Sequence, residues 1–104
     1  MQIGQVVGTV VATHRTSKFE GLTLRLLQPV DIDLVPYGAH ILAADVVGSG
    51  EGEYVLYAAG SSARQTEQTD KRPVDAVIMA IIDRWDVGGE VRFHKFLGTG
   101  ANEG

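Results

Sequence analysis

Two stretches of this chain carry apolar side chains on both faces of an extended strand. They are VVGTVVA, residues 6–12, and AVIMAIID, residues 76–83. In the second, Val77, Met79 and Ile81 point one way and Ile78, Ala80 and Ile82 the other, by the two-residue period of a strand. A small β-barrel fills its interior with one face of each strand. The other face then needs a cover, because a contiguous apolar patch of more than roughly several hundred Å² is unusual on a monomer. Little of the sequence reads as helix. A second copy of the same subunit is the economical cover, and a compact sandwich with both faces internal is the alternative.

The rest of the chain reads as short strands between turn residues. Valine dominates residues 2–13, and Gly8 marks a bend, a bulge or a close backbone approach. LTLRLLQ (residues 22–28) places Leu22, Leu24 and Leu26 on one face and Thr23 and Arg25 on the other, and Pro29 ends it. VDIDLVP alternates Val30, Ile32 and Leu34 with Asp31 and Asp33, the pattern of a short edge strand or extended stretch. Residues 40–47 and 53–59 are two further strands, and GSGEG between them has the length of a hairpin loop, with Gly48, Gly50 and Gly52 as turn residues. SSARQTEQTDKR, after Gly60, holds almost no apolar residues and reads as a short helical turn and a solvated loop. VDAVIMAIIDRW, with the Gly88–Gly89 turn and EVRFHKF, reads as a terminal hairpin, with a helical turn near Val74–Asp75. Residues 98–104 form a polar tail.

Composition narrows the functional classes. A chain of 104 residues is one domain. Its formal net charge is −4, and its lysines and arginines are scattered, which disfavours a nucleic-acid phosphate grip. Cysteine is absent, which removes disulfides, thiolate metal sites and a cysteine nucleophile. The first residues lack the pattern of a secretory signal, and no apolar run approaches the length of a membrane span, so a soluble intracellular protein is expected.

No motif for catalysis, cofactor or metal survives inspection. GSGEG is G-x-G-x-G, lacks a G-K-[ST] lysine and leads into a strand, whereas phosphate loops open a helix. Glu51 and Glu53 would also repel a phosphate. GSSAR has Arg64 where a nucleophile elbow needs glycine, so Ser61 and Ser62 read as caps of a helical turn. His14, His40 and His94 lack metal-ligand spacing. Asp45, Asp75 and Asp83 each adjoin an apolar run. They read as carboxylates held by backbone N–H groups or by an arginine such as Arg64 or Arg84.

The order of VVGTVVAT (6–13), LLQPVD (26–31), AADVVGSGEGEYVL (43–56), GSSAR (60–64) and PVDAVIMAIID (73–83) resembles the bacterial microcompartment vertex proteins of the EutN/CcmL type, from residue 1 to about residue 97. Ser49 stands where the family more often has alanine, and Arg15 is the nearest basic residue to a lysine usual after the first strand. The resemblance implies an all-β fold: a small five-stranded OB-like β-barrel with a short helical turn and a C-terminal β-hairpin. Residues 1–97 would form the domain and 98–104 a tail. It further implies a cytoplasmic shell protein without catalysis, cofactor or metal. Its partners would be four further copies of itself, in a ring of five, and hexameric shell proteins, with no nucleic acid or membrane. In that ring Gly60, Ser61, Ser62 and Arg64 are candidates for the subunit joint, with Asp45, Asp75 or Asp83 as the partner of Arg64. An OB-like barrel that binds a ligand or oligonucleotide is the alternative, and it predicts exposed aromatics interleaved with Lys and Arg.

Overall fold

A computed structural model describes residues 1–11, 22–60, 76–96 and 98–99, the last two by their backbone only. Its strands are β1 (Gln2–Val10), β2 (Thr23–Pro29), β3 (Ile41–Asp45), β4 (Tyr54–Ala59), β5 (Ala76–Ile81), β6 (Arg84–Val87), β7 (Glu90–His94) and β8 (Gly98–Thr99). The first five close into a barrel in the order β1-β2-β3-β5-β4, and β6-β7-β8 form a separate three-stranded sheet. There is no α-helix among the described residues, and the two helical turns expected near residues 63–64 and 74–75 lie outside them.

Every barrel strand contributes to one interior cluster, made of Val6, Leu27, Ala43, Val55, Tyr57, Ala76 and Ile78. Tyr57 is its largest member and is fully buried. Gly4 makes room for it, since a Cβ on Gly4 would lie 3.1 Å from Tyr57 Cε1. A second cluster, of Leu22, Leu24, Ala44, Ala58 and Val77, lies on the outer face of the same strands. That outer face is therefore already buried at these residues within one chain, and the open apolar surface lies elsewhere on the barrel.

The strand faces depart from strict alternation because of two bulges. Met79 is the extra residue where β5 pairs with β4, between Leu56↔Ala80 and Tyr57↔Ile78. The bulge puts Ile78 and Ile81 on the same interior, where alternation had set them on opposite faces. Met79 itself is exposed. On β1, Val7 is extra between Val6↔Leu27 and Gly8↔Leu26.

Three further expectations are corrected. Residues 46–53 do not close a hairpin, because β5 lies between β3 and β4, parallel to β3 and antiparallel to β4. The segment turns a corner of the barrel instead. Residues 30–36 are not a strand beyond one bridge, Val30↔Pro36. The Asp31 carboxylate accepts the N–H groups of Asp33 and Val35, a local turn that competes with extended pairing. Finally, the apolar run from residue 74 to 85 divides at Ile82–Asp83: its first part is a barrel strand, and only Arg84–Val87 enters the terminal hairpin. The hairpin turns at Gly88 and Gly89, both at positive φ. Gly98–Thr99, at the start of the presumed tail, pairs with Phe93 and His94.

Candidate functional site

The barrel corner after β3 is organised by one carboxylate. Asp45 is two residues beyond Ala43 and so shares the inward face of β3, at the barrel's end. Its Oδ1 accepts the N–H groups of Val47 and Gly48, and its Oδ2 accepts the N–H of Ser49 at 2.9 Å. Arg25 Nε, from the neighbouring strand, donates to Oδ2 at 3.2 Å, and Arg25 Nη1 donates to the Thr9 hydroxyl. Only 1% of the Asp45 side chain is exposed. Burial pushes its carboxyl up, but the N–H groups of Ser49 and Val47 and the Arg25 guanidinium together hold it below its ordinary value.

The far side of the corner is held by Glu53. Its Oε1 accepts the Gly50 N–H at 2.7 Å, and its Oε2 meets Lys95 Nζ of the C-terminal sheet at 2.9 Å. Lys95 and the Gly50 N–H lower the Glu53 carboxyl, and Glu53 in turn raises Lys95. Gly48 and Gly52 adopt φ of 77° and 87°, the left-handed region that favours glycine. The Gly52 N–H donates to the Val6 carbonyl at 2.7 Å and closes the corner onto β1.

The C-terminal sheet is docked on the barrel by aromatic and polar contacts. Tyr54 of β4 meets Trp85 and Phe93 edge-on, with ring centres 5.8 and 4.8 Å apart. The Trp85 indole N–H donates to the Ile32 carbonyl at 2.9 Å, and Arg92 pairs with Asp33 at 3.1 Å. The three rings also pack on one another, Trp85 and Phe93 with centres 4.9 Å apart.

Of the sequence-derived candidates, Asp45, Gly48, Gly50 and Gly52 come together at the corner. Gly60 follows β4 at φ 65°, and Asp83 is exposed between β5 and β6. Ser61, Ser62, Arg64 and Asp75 lie outside the described residues. Arg25, Thr9 and Glu53, which complete the corner, belong to no site motif in the sequence. A lone arginine among the leucines of β2 was the available signal: the polar face of that strand turns inward at the barrel end, and the leucines at 22 and 24 cover its outside. Among the described residues no three His, Cys, Asp or Glu side chains are grouped to hold a metal.

The family model described as "Ethanolamine utilisation protein EutN/carboxysome" matches residues 1–83. The carboxysome shell vertex protein CcmL of Gloeobacter violaceus is 43% identical over 95 residues, covering 91% of this chain and 95% of that protein. Its solved structure superposes with a TM-score of 0.86 over 92% of this chain and 99% of that one. The pentameric microcompartment shell protein GrpN of Rhodospirillum rubrum is 34% identical, with a TM-score of 0.75 over 84% of this chain and 99% of that one.

Proposed function

Because this chain belongs to the EutN/CcmL family, we propose that it is a structural shell protein, a ring of five copies that caps the vertices of a bacterial microcompartment. The observation that carries this reading is the family match over residues 1–83, on a closed five-stranded barrel that superposes on a carboxysome vertex protein over nearly its whole length. A flat sheet of six-sided tiles cannot close into a polyhedron unless some tiles have five sides. The protein's work is then curvature and closure, carried out in the cytoplasm beside hexameric shell proteins, with no reaction catalysed. Among the described residues, the carboxylate with the most hydrogen-bond partners, Asp45, is bound by three backbone N–H groups and Arg25.

The joint between subunits is proposed to include Gly60, Ser61, Ser62 and Arg64. Small residues allow close backbone approach, and an arginine can pair with a carboxylate across the joint. Asp45 is occupied by Arg25 and three N–H groups, which leaves Asp75 or the exposed Asp83 as the partner of Arg64. Arg64→Ala should then weaken the ring and remove part of its salt sensitivity. Co-expression with hexameric shell subunits tests the function directly. Closed polyhedral shells are expected with the chain present, and open sheets or unclosed shells without it. Equal closure with and without the chain would contradict the reading.

A further inference from the structure

A closed ring joins its subunits head to tail, so each must offer two unlike surfaces. Among the exposed large apolar side chains of the described residues, which also include Val11, Met79 and Phe96, two groups lie together and differ in shape.

The first is flat. Leu42 on β3 is 46% exposed and lies directly across from Leu26 on β2, which lies across from Gly8 on β1. Val7, the bulge residue next to Gly8, is 43% exposed. Gly8 adds no side chain, and a Cβ there would meet only Leu26, at 3.8 Å. The strip contains no charge and continues the outer face that Leu24 and Ala44 occupy beside it.

The second is a rigid projection, the loop from Asp31 to Tyr37. Ile32, Val35 and Tyr37 are each about half exposed on it. Its backbone is fixed nonetheless. Asp31 accepts the N–H groups of Asp33 and Val35 through its carboxylate and that of Leu34 through its carbonyl, and its own N–H donates to Val35. The Tyr37 N–H donates to the Pro29 carbonyl, and the Trp85 indole holds the Ile32 carbonyl. Leu34 sits at φ 68°, a conformation that costs an L-residue about 1 kcal/mol. The loop thus holds a strained shape that leaves three large apolar side chains open to water.

We propose that the 31–37 loop of each subunit seats on the Val7–Leu26–Leu42 strip of the next. This pairing rests on the five-subunit reading above and adds which surfaces meet. A second copy is the occupant because a head-to-tail ring needs one projecting and one receiving patch on every chain. The electrostatics permit it. The loop's two carboxylates are satisfied within their own subunit, Asp31 by N–H groups and Asp33 by Arg92. Docking therefore buries no unpaired charge against the uncharged strip.

The absence of cysteine makes the pairing directly testable. Chains carrying Leu42→Cys and chains carrying Val35→Cys, with tags of different mass, are co-expressed and oxidised. Disulfide-linked dimers containing one chain of each kind are expected, with no dimer from either variant alone. Same-variant dimers, or no cross-link within rings shown to hold five subunits, would overturn the pairing. Leu42→Glu provides a second measurement on a chain whose thermal unfolding is retained. It should raise the protein concentration needed for the ring by at least roughly thirtyfold, the scale of an interface hot spot. A ring as tight as wild type would overturn the strip's role. If unmodified protein forms no five-membered ring, the functional reading itself fails rather than the choice of surfaces.

Discussion

The barrel and the C-terminal sheet are stabilised in opposite ways. The barrel closes on itself, so each of its five strands has a hydrogen-bonded neighbour on both sides, and its apolar core cluster is aliphatic apart from one tyrosine. The β6-β7-β8 sheet is open, and it is held to the barrel by three rings, one indole hydrogen bond and two ion pairs. One region depends on filled volume and the other on a few directional contacts. Damage to the first should unfold the molecule, whereas damage to the second should loosen one sheet and leave the barrel standing. Edge charges suit the open sheet: on β6, Arg84 pairs with Asp86 at 2.7 Å, which discourages a foreign strand from adding there.

Tyr57→Ala should have the largest effect. It empties the centre of the barrel and is expected to cost about 3–5 kcal/mol, read as a single cooperative loss in thermal unfolding. Asp45→Ala comes next, at about 3 kcal/mol, because it leaves the Arg25 guanidinium and three N–H groups without their acceptor. Trp85→Ala should cost about 1.5–3 kcal/mol and sharpen the contrast. Amide exchange is expected to accelerate over residues 84–96 while the barrel amides stay protected. Uniform acceleration across both regions would erase the distinction. Arg92→Ala removes only a partly exposed ion pair and should cost at most about 1 kcal/mol.

Acid should act on the corner that lies between the two regions. The carboxyls of Asp45 and Glu53 are held below their ordinary values of 3.8 and 4.5, so the folded protein binds fewer protons than the unfolded chain on acidification. Their contribution is fully present above those ordinary values and is lost as pH falls through the lowered ones. Melting temperature should therefore drop between roughly pH 5 and pH 2. Asp45→Asn should show a shallower acid slope than wild type, measured from its own neutral value.

The strand inventory was legible in the residues because β-branched runs between glycine and proline turns have few other uses. Gly8 stands beside the β1 bulge, and Gly88–Gly89 mark the terminal hairpin, where both take positive φ. Strand order was not legible in the local pattern. GSGEG has hairpin length, but nothing local shows that β5 inserts between the strands it joins. Nor does alternation reveal a bulge without glycine. Met79 is as apolar as its neighbours, yet it reverses the facing of everything after it. The corner was half visible. Its glycines stood out, whereas Arg25 reads as an ordinary solvent-facing strand residue until β3 brings Asp45 beside it. Residues 30–36 misled in the other direction, because their alternation matches a strand while Asp31 draws the backbone into a turn.

The most direct test of the central claim is the number of subunits. Native mass spectrometry of the purified protein at several salt concentrations should give a dominant species of five times the 11.1 kDa chain. A monomer persisting at high protein concentration would contradict the vertex role and return the barrel to a ligand-binding reading.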